Sequence, residues 1–491
     1  MIAFVNLHIS TTFWTSQRMN PAPLKVGLFS IGLDTYWAQF DGLLDHLKAY
    51  HNDIKQRLLG MDANIIDAGM VDNVEKAQDA AQKFKQEDVE IIFLFISTYA
   101  LSSTVLPVVQ KAKVPVVMLN LQPVAQLDYA KFNALGDRGK MTGIWLEHCQ
   151  SCSVPELACV FNRADIEYHI VTGYLQEAQA WQEVRDWIDA AKVVVGMREN
   201  RVGILGHYYC GMLDVYSDLT QQSAAFGNHF EILEMCELFD LRQSVTEAEV
   251  TQKIQEFHSK FQVSSECEAT ELERAAKTSV ALDKLIQRHQ LGSMAYYYEG
   301  RGEYENMVTS VIAGNTLLTG KNIPIAGECE VKNVQAMKIL DLFGVGGSFS
   351  EFYLSDFIDN VVYLGHDGPA HFAISEGKVK LVPLSVYHGK PGKGLSIQMT
   401  VKHGPVTVMS VVQRRDGSIF LQVAEGESVP GPILQIGNTN SRYKFSIGAK
   451  GFMNNWSKGG PAHHCAIGVG HIGDKIDKLG LLLKLEVVRV C

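Results

Sequence analysis

The sequence contains no apolar run of the roughly 20 residues that a membrane-spanning helix needs. It also has no run of basic residues. Its 54 acidic side chains outnumber the 44 lysines and arginines, so the formal net charge is −10 and the pI is near 5.9. Both absences argue against a membrane and against nucleic acid as partners. We expect a small neutral ligand instead.

A disulfide framework is not indicated either, because the nine cysteines are odd in number and scattered along 491 residues. This usage is typical of a reduced, cytoplasmic protein. The first twenty residues lack a basic start and a long apolar core, so we expect no secretory signal. We expect residues 1–23 to form an N-terminal extension, with Met19 as an alternative initiator.

From Leu24 onward, short apolar segments alternate with segments of helical periodicity, which predicts a parallel, doubly wound α/β sheet. No GxG-type fingerprint follows these strands, so we expect no nicotinamide cofactor. A second alternating unit begins at IEYHIVTG and continues to LGSMAYYYEG. The predicted elements of the first unit are LKVGLFSIG, a helix over 37–59, ANIIDAG, a helix over 74–84, VEIIFLFIS, a helix over 102–111, and VPVVMLN; those of the second include helices over 177–191, 246–261 and 271–287.

After His366 the pattern changes to β-rich runs separated by Gly, Pro and Asp-Gly turns, which predicts an antiparallel sheet or barrel. The predicted fold is therefore two doubly wound, Rossmann-like parallel-sheet domains followed by an antiparallel β-barrel-like domain. The expected boundaries are 24–165, 166–330 and 331–491, and the last domain carries most of the candidate site.

The stretch 326–371 supplies most of the side chains with candidate chemistry. Glu328 precedes a segment of helical periodicity, so we expect it near a helix N-terminus, which stabilises an anion. Glu351 follows the glycine-rich run GVGGSF, and His366 lies in the predicted turn LGHDGP. His463 and His464 follow two glycines and a proline in a second predicted loop. Carboxylates with imidazoles suit a divalent ion such as Mn²⁺ better than a structural zinc.

Each of these residues also has an ordinary structural interpretation. A glutamate near a helix start is more often a partner of the helix dipole than a metal ligand, and a histidine in a loop is more often only solvated. Spacing alone does not decide between the two.

Four segments resemble, in order and approximate spacing, the metal-site segments of the L-arabinose isomerase family, whose usual forms are GEGDWKTAA, GTSFMEDY, LGSHML and GGAHHT. The matching segments here are GECEVKNVQAMKI, GGSFSEFY, LGHDGP and GGPAHHCAIG. The resemblance covers most of the chain, weakly in the N-terminal half and strongly from about Gly327. Cys329-Glu330 replaces Gly-Asp, and His366-Asp367-Gly368 replaces Ser-His-Met, so the third ligand is offset by one residue.

The resemblance implies a cytoplasmic, homo-oligomeric isomerase, trimeric or hexameric, that converts L-arabinose to L-ribulose through a 1,2-enediol in arabinose catabolism. It implies one Mn²⁺, or another divalent ion, per subunit. The implied metal ligands are Glu328, Glu351, His366 and His464, and the two glutamates are also the implied acid and base. The implied sugar contacts are Met212, Tyr298, Gln150 and His463.

Three alternatives stay open. An L-fucose or D-arabinose isomerase would share the fold and the chemistry, and the departures from the family pattern leave the identity of the sugar undecided. A non-catalytic sugar-binding protein also uses tandem α/β domains, but it needs no divalent metal for a neutral sugar. A metallohydrolase would use one glutamate as a base toward water.

The segment His148-Cys149-Gln150-Ser151-Cys152 contains a CxxC beside a histidine. Such a motif invites a zinc or redox interpretation. A zinc site would need a second pair at suitable spacing, and thioredoxin-type motifs lie differently in their fold. The sequence therefore favours neither interpretation.

Overall fold

A computed structural model describes residues 23–301, 304–367, 370–384 and 393–491. The predicted extension at 1–23, except for its last residue, and Gly368 lie outside these ranges. The chain divides into two compact units. The first contains the chain up to Met118 and Tyr129–Tyr168, and the second contains Leu119–Asp128 and His169–Cys491. Among the described helices, none has the length and apolar character needed to cross a membrane.

The first sheet has the strand order β2-β1-β3-β4-β5, and β1 pairs in parallel with both β2 and β3. Apolar strands alternate with helices as the sequence pattern predicts. The elements are β1 Lys25–Ile31, α1 Leu43–Leu59, β2 Asn64–Val71, α2 Val74–Gln86, β3 Ile91–Phe95, α3 Ser102–Ala112, β4 Val116–Gln122, α4 Tyr129–Ala134, α5 Arg138–Glu147, α6 Gln150–Arg163 and β5 Tyr168–Tyr174.

Helix α1 starts later than the predicted Trp37, because residues 34–36 form a separate 3₁₀ turn. The indole N–H of Trp37 donates to the Asp72 carboxylate at 2.9 Å, which fixes this turn at the strand end. Gly42, with a φ of 80°, then redirects the chain into the helix. The predicted helix start was therefore wrong by six residues.

The second unit contains another parallel sheet, of order β10-β9-β6-β7. Helix α7 is longer than the predicted 177–191, and α10 starts with a capping box between Thr246 and Glu249. The elements are α7 Ala178–Glu199, β6 Arg201–Gly206, α8 Leu219–Phe226, β7 His229–Leu233, α9 Met235–Gln243, α10 Glu247–Lys260, β8 Gln262–Val263, α11 Ala269–His289, β9 Ser293–Tyr297, α12 Glu305–Val308, α13 Ile312–Thr319, β10 Ile325–Ala326 and α14 Val331–Leu342.

Six strands near the C-terminus form a closed antiparallel barrel, in the order β15-β18-β11-β12-β17-β16, with β16 pairing back to β15. Strand β19 adds to β16 in parallel, and β13, β14 and β8 form a separate small sheet. The elements are β11 Gly346–Asp356, β12 Val361–His366, β13 Lys380–Leu384, β14 Gly394–Gln398, β15 Gly404–Gln413, β16 Ile419–Val429, β17 Thr439–Phe445, α15 Gly448–Lys458, β18 His464–Val469, α16 Gly473–Leu483 and β19 Glu486–Arg489.

Both faces of the barrel wall are covered by apolar side chains. Along β18, Cys465 and Ile467 belong to one buried cluster, whereas the intervening Ala466 belongs to another that includes much of α14. This alternation follows from the period of two in a strand. The α/β class, the two parallel sheets and the antiparallel barrel are thus confirmed. The layout as two Rossmann-like domains with the boundaries given above stays a prediction.

Candidate metal centre

Three of the four predicted ligands lie on adjacent barrel strands. Glu351 on β11 is paired with His464 on β18, and on its other side with Gly365, the residue before His366 on β12. His366 is therefore the last residue of a strand rather than part of a turn, and His464 is the first residue of a strand rather than part of a loop. The hydrogen-bonded ladder of the barrel gathers these side chains at one level.

Glu328 reaches the same place from outside the barrel, from the link between β10 and α14. Glu328 and Cys329 have φ values of 54° and 59°, in the left-handed region that costs a non-glycine residue about 1 kcal/mol or more. The Cys329 amide donates to the Tyr296 carbonyl at 2.9 Å and holds this link. Strain of this kind concentrates at functional sites.

The carboxylates and imidazoles converge within metal-binding distance. The Glu328 Oε2 lies 3.5 Å from His464 Nε2 and 3.4 Å from His463 Nε2. Two sets, Glu328 with His366 and His464, and Glu351 with His463 and His464, each have ligand atoms within 4.8 Å of one another. An ion with octahedral ligands about 2.1 Å away spaces them about 3 to 4 Å apart. The four predicted ligands are thus divided between two overlapping sets that share His464.

Two buried atoms at this point lack the hydrogen bonds that buried polar groups normally make. Within the described ranges, neither the Nε2 of His464 nor the Oε2 of Glu328 has a hydrogen-bond partner. The Nδ1 of His464 lies 3.2 Å from the Glu330 carboxylate, which only accepts, so we assign the proton to Nδ1. The Nε2 of His464 then faces the Glu328 carboxylate, 3.5 Å from its Oε2. This donor set fits a cation.

A chain of polar contacts holds the two neighbouring histidines. The fully buried Glu330 pairs with Lys332 at 3.1 Å, and the Lys332 ammonium donates to the backbone carbonyl of Asp214 at 2.6 Å. The Asp214 carboxylate in turn lies 2.6 Å from the Nδ1 of His463 and accepts from its backbone amide at 3.0 Å. Metal-ligating histidines usually have a carboxylate partner on the second ring nitrogen, as His464 has in Glu330.

Electrostatics differ between the groups of the site. Burial lowers the pKa of His463, but its contacts with the Glu328 and Asp214 carboxylates and their charges outweigh burial and raise it to about 9. Burial raises the pKa of Glu351, and the charges of Glu328 and Asp367 add to this, against the opposing effect of the two histidines. Proton-transfer groups commonly have pKa values shifted toward neutrality, as the raised pKa of Glu351 is.

A cavity of about 230 Å³ opens beside Glu351 and His463. It is lined by Glu351, Phe352, Trp456, Ser457, Pro461, Ala462 and His463. Pockets for drug-sized ligands measure roughly 300 to 1,000 Å³, so this one suits a smaller molecule. An acidic group, an imidazole and an indole at one small cavity can hold a polar ligand beside the converging carboxylates.

The other predicted sugar contacts have different surroundings. Met212 is half-buried at the start of a 3₁₀ turn that also carries Asp214. Tyr298 is buried in an apolar cluster of the second unit. Gln150 belongs to the first unit, where its buried amide donates to the backbone carbonyls of Ser97 and Glu147. The role of each in binding a sugar stays a prediction.

Sequence reasoning missed Asp214, Glu330 and Lys332. Glu330 and Lys332 stand within the segment GECEVK, and Asp214 follows Met212 by two residues, so all three lay in segments already singled out. Their contacts join residues more than 100 positions apart, which no local pattern indicates.

No family model matches the chain, and a search of curated proteins finds no relative. The resemblance to L-arabinose isomerases therefore stays a prediction, and the geometry of the site carries the functional argument.

Proposed function

We propose that the chain is a divalent-metal-dependent aldose–ketose isomerase of the L-arabinose isomerase type, with L-arabinose as substrate and L-ribulose as product. The observation that carries this proposal is that Glu328 Oε2 and His464 Nε2, two buried atoms without hydrogen-bond partners in the described ranges, face each other at a distance that suits two ligands of one cation. A second carboxylate, Glu351, lies beside them at a small cavity. A receptor for a neutral sugar needs no such set.

In this mechanism Glu328, Glu351, His366 and His464 would hold the ion, Mn²⁺ in our proposal. When bound, such an ion supplies positive charge that polarises a sugar carbonyl and acidifies the adjacent C–H. Glu351, which lines the cavity, removes that proton. Glu328 moves the hydroxyl proton from one oxygen to the other, which leaves the 1,2-enediol in its singly ionised form. Glu351 then returns its proton to the neighbouring carbon, and the ketose forms. His463, held by Asp214, binds a sugar oxygen.

A panel of pentoses and 6-deoxyhexoses, assayed for ketose formation with Mn²⁺ and with a chelator, tests the proposal. L-Arabinose should give the highest kcat/KM, and L-fucose or D-arabinose in first place would correct the substrate but keep the reaction. If no aldose forms a ketose, a non-catalytic sugar-binding protein or a metallohydrolase replaces the isomerase.

Glu351→Gln provides the sharper mechanistic test, because it keeps the shape of the side chain and removes the base. It should lower kcat by about 10² to 10⁴, as expected for general acid–base catalysis. Glu427→Gln, an exposed change on barrel strand β16, is the control and should leave kcat unchanged. The metal content of both variants must be measured, so that a lost ion is not taken for a lost base.

Turnover in D₂O separates the enediol route from a direct hydride shift. Proton removal by Glu351 allows exchange with solvent, so deuterium should appear at the carbon next to the carbonyl of the product. An unlabelled carbon, together with substantial activity in metal-replete Glu351→Gln, contradicts the two-carboxylate mechanism while leaving the isomerase assignment standing.

We further propose that the two parallel sheets represent two Rossmann-like domains, and that the protein is a cytoplasmic homo-oligomer, trimeric or hexameric. The support for the assembly is the resemblance alone, since that family completes its site with a neighbouring subunit. Light scattering that finds a catalytically active monomer contradicts the assembly.

A further inference from the structure

Cys149 and Cys152 lie together at the start of helix α6, in the first unit. Cys149 is the N-cap residue and is buried, whereas Cys152 lies in the first turn and is exposed. Their sulfur atoms are 2.6 Å apart, about half an ångström more than a disulfide bond of roughly 2.05 Å. The sequence favours no redox role, because thioredoxin-type motifs lie differently in their fold, whereas the structure brings the two sulfurs into reacting distance.

Neighbouring side chains hold the turn that carries this pair. The Gln150 amide donates to the backbone carbonyls of Ser97 and Glu147 at 3.1 and 2.7 Å. The Ser153 hydroxyl accepts from the backbone amide of Ala100 at 3.0 Å. The residue after each cysteine is therefore fixed to buried backbone, which holds the backbone of the turn from which both sulfurs project.

We propose that Cys149 and Cys152 form a redox-active dithiol that is oxidised reversibly to an intramolecular disulfide by exchange with low-molecular-weight disulfides. Exposed Cys152 is the attacking residue, because it is accessible and lies in the first turn of a helix, where a thiolate is stabilised. Buried Cys149 is the resolving residue. The inference is independent of the proposed isomerase function.

The exchange balances in two displacements. The Cys152 thiolate attacks one sulfur of the external disulfide, forms a mixed disulfide and releases one thiolate. The Cys149 thiol then gives up its proton, and its thiolate attacks the Cys152 sulfur and releases the second thiolate, which takes up that proton. Two electrons pass from the cysteines to the external disulfide, which leaves as two thiols. Burial, followed by the neighbouring Cys152, raises the pKa of Cys149 to about 12, which keeps it a thiol until the second step.

The test equilibrates the full chain in glutathione buffers of increasing oxidised fraction, blocks free thiols with an alkylating reagent, and analyses the tryptic peptide 141–163 by fragmentation mass spectrometry. This peptide also contains Cys159, an exposed cysteine on the same helix, as an internal control. We expect Cys149 and Cys152 to lose their thiols together in one transition while Cys159 stays alkylated. Cys159→Ser should leave that transition unchanged.

Cys149→Ser should trap the first step, because Cys152 then keeps a bound glutathione that no second thiol displaces. If the buried hydroxyl prevents folding, Cys149→Ala serves the same purpose, and circular dichroism checks the fold of both variants. The proposal is overturned if Cys149 stays alkylated in the most oxidising buffer, or if Cys152 pairs with Cys159 instead. Zinc retained stoichiometrically by the reduced chain and lost in Cys152→Ser would also overturn it.

Discussion

Glu330→Gln is expected to weaken Mn²⁺ binding while the chain stays folded. The Glu330 carboxylate is fully buried and orients His464 through Nδ1, so its loss removes the group that fixes the tautomer and direction of a proposed metal ligand. Replacing such an outer partner typically costs 10- to 100-fold in metal affinity. That loss corresponds to about 1.4 to 2.7 kcal/mol.

The folding cost of this change should be moderate. Lys332 loses a buried ion pair, which alone costs about 3 to 5 kcal/mol when one charge is left unpaired. Lys332 also donates to the backbone carbonyls of Asp214 and Tyr216, and glutamine still offers an amide oxygen. We therefore expect a destabilisation of about 1 to 3 kcal/mol, the usual cost of an impaired buried hydrogen bond.

Asp341→Asn is a closely matched control. Asp341 is a buried carboxylate paired with Lys338 at 2.9 Å, and Lys338 likewise donates to a backbone carbonyl, that of Asn322. It lies at the other end of α14, about 16 Å from Glu330 along a helix that rises 1.5 Å per residue. The control should lose similar stability but keep its Mn²⁺ affinity.

Calorimetric titration of each metal-free variant with Mn²⁺ measures the metal affinity. Urea unfolding of the same variants measures the loss of stability. Glu330→Asp retains a carboxylate and should keep most of the affinity. A folded Glu330→Gln that binds Mn²⁺ within twofold of the parent, or an Asp341→Asn that loses as much affinity, would falsify the assigned role of Glu330.

Three further results are expected. Asp214→Asn should lower kcat/KM about 10- to 100-fold, the value of a hydrogen bond to a charged group. It should leave the Mn²⁺ affinity unchanged, because Asp214 contacts His463 alone among the site histidines. Equal losses in kcat/KM and in Mn²⁺ affinity contradict this expectation. Chelation should lower the melting temperature by a few degrees in the parent but not in His464→Ala, as calorimetry can check. His169, stacked on Trp187, has its pKa lowered to about 4 by burial and then by Lys478, so it stays neutral when folded. Stability should therefore fall by about 1 to 2 kcal/mol between pH 6.5 and 4, less than the full shift because the ring is partly solvated, and His169→Phe should remove this loss in urea titrations.

Local patterns predicted well what depends on neighbours in sequence. Buried apolar runs such as Ile91–Phe95 indicated strands, and Gly, Pro and Asp-Gly turns indicated the antiparallel barrel. Motif and position singled out Glu328 and Glu351, whose roles stay predictions. The helix start at Leu43 was missed, because it depends on the hydrogen bond from Trp37 to Asp72, two residues far apart in sequence.

Pairing across the barrel was beyond the reach of sequence patterns. His366 and His464 looked like loop residues beside glycine and proline, and only the ladders with Thr439 and Glu351 make them strand ends. The structure gives a backbone conformation for one residue that departs from the family pattern. Cys329 stands where that family has glycine, and its φ of 59° lies in the region that favours glycine.

The candidate site combines three side chains held by barrel strands with one side chain held by a short link. Glu351, His366 and His464 lie on three adjoining strands of the closed barrel; Glu351 is paired on both sides, with His464 and Gly365, and His366 is paired with Thr439. Glu328 instead lies outside the barrel, in a link where both Glu328 and Cys329 have a strained, left-handed backbone conformation. We therefore expect Glu328 to move when the site binds ions of different radius. Substitutions in the short link between β10 and α14 should then have the largest effect on the selectivity among divalent ions.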